Sequence, residues 1–184
     1  RTPASTADVM RRAYAALKNG RPGPVMVEVP RDIVNEETGF DSPAYTPFRH
    51  SRSAPDSRDV DDAAKLLVSA KCPVILAGQG VLYAEASAEL VALAELLQAP
   101  VMTTVDGKSA FPEDHALALG AGGNTFTGQG RHFLYTKADL ILGIGTGLNR
   151  HPLTTPPLPK GVPIIHATND SRDLHKQHQT EVGI

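Results

Sequence analysis

The chain has 184 residues, of which 41% are hydrophobic, and a formal charge of −2 from 20 acidic and 18 basic side chains. This length suits one domain with or without an appendage, and the hydrophobic fraction is enough for a core. No basic run favours nucleic-acid binding, and no apolar run approaches the roughly 20 residues of a membrane helix. The single cysteine, Cys72, excludes an internal disulfide and fits a reducing compartment, so a cytoplasmic location is expected.

The first segment predicts one helix and one strand. Ser5 is a candidate cap with Asp8 three residues on, apolar residues follow at helical spacing, and Asn-Gly at 19–20 is a stop signal. After a turn rich in proline and glycine, the apolar run at 25–29 predicts a short strand. One helix and one strand are too little for a core of their own, so they are interpreted as the end of another domain.

The stretch 34–55 changes character. Prolines, serines and charged residues punctuate it, and no period of 2 or 3.6 persists, which is typical of an extended linker. From residue 56 the pattern becomes regular. Apolar residues at 60–68 share a helical face, and Asp56 or Ser57 is the predicted cap of that helix.

The rest of the chain alternates predicted strands and helices. Predicted strands lie at 73–77, 100–104, 139–145 and 162–167, and the run at 73–77 has no polar alternation, which is typical of a strand buried on both faces. Helical patterns occupy 86–97 and 127–137, the stretch between 105 and 126 is predicted to be a loop, and 181–184 is interpreted as the start of another strand. This order predicts βαβ units and an α/β fold with a parallel sheet.

Glycine and small polar residues follow each of these four strands, at 78–80, 103–104, 145–147 and 168–170. In open parallel sheets ligands bind beyond the carboxyl ends of the strands, and glycine lets backbone N–H groups approach a phosphate. However, the run at 78–80 lacks the third glycine of the dinucleotide fingerprint, and glycine after a strand also serves plain turn geometry. The residues alone leave a nucleotide-sized ligand and turn geometry both open.

Other polar residues give weaker indications. His175 and His178 are three apart, but a metal pair would need a further ligand, so a solvated helix is expected there. His166 ends an apolar strand and is predicted to be a hydrogen-bonded core residue. No P-loop, nucleophile elbow or zinc cluster occurs in the sequence. We therefore predict no catalytic residue and no metal ligand in this chain.

Several stretches resemble the acetolactate synthase and pyruvate oxidase-like family of thiamine-diphosphate-dependent enzymes, which includes 2-keto acid decarboxylases. Residues 20–32 resemble the closing helix–turn–strand of the family's pyrimidine-binding domain. Successive strands and loops of its central domain are resembled by 72–81, 100–112, 138–145 and 163–170. The resemblance covers nearly the whole chain, with the pieces in the right order.

The resemblance implies a division of the chain. Residues 1–33 would be the C-terminal helix and strand of the pyrimidine-binding domain, and 34–55 a linker. Residues 56–184 would form the central domain, cut at its C-terminal edge. That domain is expected to be Rossmann-like, with three layers: a mostly parallel sheet and helices on both faces.

The resemblance also implies a larger parent enzyme. Its pyrimidine-binding domain activates thiamine diphosphate through a glutamate, and its pyrophosphate-binding domain holds Mg²⁺; both features fall outside this chain. The parent, a homodimer or homotetramer, would form or cleave carbon–carbon bonds of 2-keto acids as a transferase or lyase. The chain's partners would be these two missing domains of the same polypeptide, and the chain alone is expected to be inactive.

Central domains of this family bind FAD in some members, ADP in another and nothing in others. Carried over by position, the residues that would line the cofactor groove are Gly78, Gln79, Gly80, Thr104, Gly122, Gly123, Gly145, Thr146, Asn149 and Asp170. FAD-binding members usually have a run like Arg-Phe-Asp-Asp-Arg where this chain has Gly-Leu-Asn-Arg at 147–150, and often an acid where Thr168 stands. FAD, ADP and an empty groove therefore all stay open.

Two alternatives belong to other functional classes. A freestanding module that binds FAD, ADP or NAD without catalysis would leave the helix and strand of 1–33 with no core to join. An NAD-dependent oxidoreductase is disfavoured by the missing third glycine and the absent acidic reader of the ribose.

Overall fold

The computed structural model describes residues 2–37, 53–122, 127–149 and 157–184. By its internal contacts the chain divides into two compact units, Arg1–Ala54 and Pro55–Ile184. Within the described ranges, no helix has the length and apolar character needed to cross a membrane.

The first unit contains two helices, α1 (Thr6–Lys18) and the short α2 (Arg31–Val34). Helix α1 confirms the sequence prediction, but the predicted cap is wrong. The Ser5 hydroxyl donates to the Thr2 carbonyl oxygen at 2.7 Å instead of accepting from the first turn. Helix α2 spans residues 31–34, where no periodic pattern indicated a helix.

The strand predicted at 25–29 is wrong. These residues have no regular secondary structure, and Met26 is 81% exposed. A strand needs the backbone of a neighbour for its hydrogen bonds, and the described part of this unit contains no second strand. No described residue of the unit is buried, so α1 and residues 25–29 leave their apolar side chains without a core.

The second unit alternates helices and strands. Its elements in chain order are α3 (Ser57–Ser69), β1 (Pro73–Ala77), α4 (Gln79–Tyr83), α5 (Ser87–Leu97), β2 (Val101–Thr103), β3 (Ala118–Ala121), α6 (Gly128–Thr136), β4 (Leu140–Ile144), β5 (Ile164–Ala167) and β6 (Val182–Gly183). Helix α3 begins as predicted, because the Asp56 carboxylate accepts the Arg58 backbone N–H at 2.9 Å.

The six strands form one sheet in the order β3-β2-β1-β4-β5-β6. Every neighbouring pair is parallel, and β1 lies in the middle, with Ile75 aligned to Val101 on one side and to Leu142 on the other. Strand β3 lies within the stretch predicted to be a loop, so that prediction is wrong for Ala118–Ala121. An edge strand pairs on one side only, and this one is short and half-buried, so it lacks the apolar run of a central strand.

Apolar side chains cover both faces of the sheet. Ile75 and Ala77 of β1 belong to a core with Ala63 of α3 and Leu90 of α5. Their neighbours on β1 point to the other face, where they pack into a second core that includes Leu134 of α6. The domain therefore has three layers with helices on both faces, which confirms the predicted α/β architecture. All five residues of β1 are buried.

A carboxylate joins the two central strands where they begin. The Asp139 side chain accepts the backbone N–H groups of Lys71 at 2.8 Å and Cys72 at 2.9 Å. In return, the Asp139 N–H donates to the Cys72 carbonyl oxygen at 3.2 Å. These three bonds fix the register of β1 against β4 before the first sheet residue.

The helix expected around His175 and His178 is wrong. Residues 171–173 form a single 3-10 turn, and 174–178 continue as turns and bends. His175 has a left-handed backbone with φ of 56°, which an α-helix cannot contain.

Candidate functional site

The strand order reverses between β1 and β4, because the chain leaves β1 toward β2 and returns to lay β4 on the other side. Ligands of open α/β sheets bind at the carboxyl edge of such a switch point. Nine of the ten predicted groove residues lie after strands at this edge, and Gly123 lies outside the described residues.

The loops after β1 and β4 touch each other through glycines. A Cβ atom on Gly78 would lie 2.4 Å from the Gly145 carbonyl oxygen, and one on Gly80 would lie 2.7 Å from the Gly145 Cα. Gly145 itself has φ of +62°, and a Cβ there would lie 2.6 Å from the Val81 nitrogen. Only glycine allows both the left-handed backbone and this approach of two main chains. The glycines are therefore required by the contact between the loops.

Backbone hydrogen bonds seal the same contact. The Gly78 N–H donates to the Ile144 carbonyl at 2.9 Å, and the Gly80 N–H donates to the Gly145 carbonyl at 2.8 Å. These are two of the N–H groups that the sequence offered to a phosphate. In this structure they join the two halves of the sheet.

The loop after β2 joins this contact through Gly107, which the sequence prediction did not place in the site. A Cβ on Gly107 would lie 2.7 Å from the Gly78 carbonyl carbon. Its N–H donates to the Thr104 hydroxyl at 3.0 Å, while the Thr104 N–H donates to Ala77 at 2.8 Å. The available signal was a glycine three residues after Thr104, whose hydroxyl is able to accept its N–H.

The predicted residues after β4 and β5 also have protein partners. The Thr146 hydroxyl accepts the Leu148 N–H at 3.2 Å. The Asp170 carboxylate accepts the backbone N–H of Arg172 at 3.1 Å and its guanidinium at 2.9 Å, and so caps the 3-10 turn. This bidentate pair sits where the resemblance expected an acidic groove residue. After β3, the Gly122 N–H donates to the Thr103 carbonyl.

Asn149 and the buried Asp173 pack against one glycine. A Cβ on Gly147 would lie 2.7 Å from the Asn149 amide nitrogen and 2.8 Å from an Asp173 carboxylate oxygen. The sequence indicated Asn149 as a groove residue but gave no signal for Asp173, because an acidic residue in a polar stretch is expected to be exposed to solvent. The turn after β4 is thus packed on this side too.

His166 lies beneath the same turn. Its side chain is buried, and its Nε2 is 2.8 Å from the Thr146 carbonyl oxygen, which confirms the predicted hydrogen-bonded core histidine. Burial lowers the pKa of His166 below its usual value, while the bond to Thr146 and the charge of Asp173 oppose that shift in part and nearby His175 adds to it. At neutral pH the imidazole is therefore uncharged.

The described parts of the chain contain no group of three or more His, Cys, Asp or Glu side chains placed to hold a metal ion. The candidate residues mostly bond to one another or to neighbouring loops, and the space beside the glycines is filled by backbone. This arrangement fixes the loops after β1, β2 and β4 relative to each other. That the ten residues line a nucleotide groove stays a prediction.

Residues 60–184 match the family model described as the central domain of thiamine pyrophosphate enzymes. The chain belongs to this family. The central-domain assignment agrees with relatives of known name. The chain is 32% identical over 177 residues to glyoxylate carboligase of Escherichia coli O157:H7, which covers 96% of this chain and 30% of that enzyme. It is 35% identical over 189 residues to the acetolactate synthase large subunit of Corynebacterium glutamicum, covering 99% and 29%.

Solved structures show the same relationship. The crystal structure of benzoylformate decarboxylase from Polynucleobacter necessarius superimposes with a TM-score of 0.73 at 25% identity, covering 99% of this chain and 34% of that one. This central-domain chain thus spans about a third of the length of the relatives it matches.

Proposed function

We propose that this chain is the central domain of a thiamine-pyrophosphate-requiring enzyme that joins or decarboxylates 2-keto acids, as a transferase or lyase. The observation that carries the proposal is the family match over residues 60–184. It is supported by relatives named as a carboligase, a synthase and a decarboxylase, and the freestanding nucleotide-binding alternative is not favoured. By itself the domain supplies structure and no catalytic group.

Thiamine diphosphate and Mg²⁺ belong to the proposed parent enzyme and to domains outside this chain. When bound, thiamine diphosphate would supply the carbanion stabilisation that bond cleavage next to a carbonyl needs. The described residues do not fit a magnesium site, because no group of three or more His, Cys, Asp or Glu side chains among them is placed to hold a metal ion. We propose that the chain serves the cofactor only by holding the neighbouring domains.

Residues 1–33 are proposed to be the last helix and extended segment of the pyrimidine-binding domain. Support comes from their own surface: α1 and residues 25–28 line a groove of about 340 Å³, and Val29 and Val34 are more than half exposed. The missing part of that domain would cover these side chains. The linker at 34–55, the homodimeric or homotetrameric parent and the cytoplasmic location are parts of the same proposal.

At the carboxyl edge of the sheet we propose a structural role for the glycine loops. The N–H groups of Gly78 and Gly80 and the hydroxyl of Thr104 already have protein partners, and so does the carboxylate of Asp170. FAD or ADP would have to share or displace these bonds. The alternative is a nucleotide groove lined by the ten predicted residues, favoured because nine of them lie after strands at the carboxyl edge where such ligands bind.

Activity of the full gene product tests the main proposal. We expect the complete enzyme to release the carboxyl carbon of pyruvate, glyoxylate or benzoylformate as CO2, and to release the remaining aldehyde-level fragment or join it to a second substrate, only when thiamine diphosphate and Mg²⁺ are added. The 184-residue chain should be inactive under the same conditions and should not bind thiamine diphosphate in calorimetry. Tight binding of thiamine diphosphate to this chain, or no 2-keto acid activity in the complete enzyme, would contradict the proposal.

Calorimetric titration of the chain with FAD, ADP and NAD separates the two roles of the carboxyl edge. If the contact between the loops after β1, β2 and β4 (the junction) is purely structural, none of the three nucleotides should give saturable heat of binding. Saturable binding of FAD or ADP that is weakened by Asp170→Asn would establish the nucleotide groove instead. Asp56→Asn is the matched control, because Asp56 forms the same bidentate pair with Arg58 but lies far from Asp170 along the chain.

A further inference from the structure

The side chain of His166 faces a group that can only accept a hydrogen bond. Its Nε2 lies 2.8 Å from the carbonyl oxygen of Thr146, on a residue 20 positions earlier in the chain. A carbonyl oxygen has no proton to give, so Nε2 carries one and donates it. His166 is only 1% exposed, and its neighbours along β5 are the apolar Ile165 and Ala167. The donor side of this contact is therefore buried, while the acceptor side is part-buried.

The Thr146 carbonyl belongs to the turn that meets the loop after β1. Within this turn, the Gly145 N–H donates to Ala167 of β5 at 2.9 Å, and the Gly145 carbonyl accepts the Gly80 N–H at 2.8 Å. Atoms of Thr146 are the next obstacles that a side chain on Gly78 would meet, at 2.6 and 2.8 Å. The turn is thus bonded to β5 beneath it and pressed against β1 beside it.

We infer that His166 is a positioning residue whose Nε2–H holds the Gly145–Gly147 turn against the loop after β1, and so sets the spacing of the two halves of the sheet at its carboxyl edge. Strand β5 reaches this turn with a side-chain donor through His166. The inference goes beyond the proposed function and holds whether or not a nucleotide binds. It also assigns a role to a group that the proposed chemistry leaves unused.

The groups that act on His166 agree with a neutral donor. Asp173 in the 3-10 turn and His175 just after it influence the ring with opposite signs, and burial outweighs both, so its pKa is lowered. A neutral ring with the proton on Nε2 is one defined tautomer. Nitrogen-detected spectroscopy of the imidazole distinguishes this tautomer from the Nδ1–H form and from the imidazolium.

Two variants of the full 184-residue chain test the role. His166→Gln keeps an N–H donor at a similar reach, and His166→Leu keeps the volume without the donor. Amide hydrogen exchange is followed at Gly80 and Leu148, which donate within the junction, and at Ile75, which donates to Pro100 between β1 and β2. Ile75 serves as the reference, because a general loss of stability would accelerate its exchange as well.

We expect His166→Leu to accelerate exchange at Gly80 and Leu148 by about tenfold relative to Ile75, as loss of one buried hydrogen bond predicts. His166→Gln should restore both amides to within about threefold of the unmodified chain. Equal acceleration at all three amides in His166→Leu, or no rescue by His166→Gln, would overturn the positioning role. If the leucine variant does not fold, the tautomer decides: a ring protonated on Nδ1 alone, or charged at pH 7, contradicts the inference.

Discussion

Two five-residue segments with similar apolar sequences have opposite fates. Residues 25–29 read Val-Met-Val-Glu-Val and form no strand, with Met26 81% exposed. Residues 73–77 read Pro-Val-Ile-Leu-Ala, form β1, and are buried throughout. The difference lies in their neighbours: β1 pairs with β2 and β4, whereas the described part of the first unit supplies no second strand. An apolar run can thus form a strand only where a neighbouring strand supplies the backbone to pair with.

The largest expected effect contrasts one residue from each segment. Ile75→Ala should lower the free energy of unfolding by about 3 to 4 kcal/mol, because it leaves a cavity in a fully buried site. Val27→Ala should change it by less than about 0.5 kcal/mol, because Val27 is 36% exposed and lies in the unit without buried residues. Urea unfolding monitored by circular dichroism measures both. Similar losses in the two variants would mean that residues 25–29 have a core within this chain.

A second, smaller effect separates backbone conformation from backbone contact. Gly145→Ala should lower the free energy of unfolding by about 2 to 3 kcal/mol. The new Cβ would clash with the Val81 nitrogen, and alanine is also strained in the left-handed backbone conformation of this residue. Gly161 is the matched control, with φ of +79° and nothing within 4 Å of a Cβ, so Gly161→Ala should cost only about 1 kcal/mol. Equal costs would show that the loops after β1 and β4 are not held at this close approach.

The smallest effect concerns pH and again belongs to the second unit. The folded state lowers the pKa of His166 from its usual 6.5, so the unfolded chain binds the proton first as pH falls. Stability is therefore full above about pH 6.5 and declines as the pH falls below that value. Urea unfolding between pH 7.5 and 5 should show this decline, and His166→Gln should flatten it. The exposed Asp8 and Asp56 have pKa values lowered from 3.8 and act below this window. A decline of equal size in His166→Gln would assign the pH dependence to other groups.

The fold was largely predictable because the four central strands lie in mostly apolar runs that alternate with helical patterns, an order typical of a parallel α/β sheet. Strand β3 was not predicted, because Ala118–Ala121 contains a glycine with φ of 88° and is only half-buried at the edge of the sheet. Its place depends on β2, which lies beside it, and not on its own composition. The false strand at 25–29 is the converse case. Both errors concern pairing, which a single segment does not encode.

The position of the candidate site was predictable from the sequence, but the role of its glycines was not. Parallel strands bring their carboxyl ends to one edge, so the convergence of Gly78, Gly80 and Gly145 follows from the strand order. The sequence does not show which atom accepts the hydrogen bond from each backbone N–H group. Glycine suits a phosphate cradle and a close contact of two main chains equally well. The structure favours the contact, because a Cβ on Gly78 would lie 2.4 Å from the Gly145 carbonyl oxygen. Gly107 was missed for the same reason.

The bonds between Cys72 and Asp139 join residues 67 positions apart, yet they align the two strands at the centre of the sheet. We expect this central pair to form late in folding, because a long loop must close before its bonds offset the lost chain entropy. The half made of β1, β2 and β3 must wait for β4 with one side of β1 unpaired and apolar. On a ribosome, we expect that interval to last until β4 has emerged, so the open side of β1 needs shielding while the domain is being made.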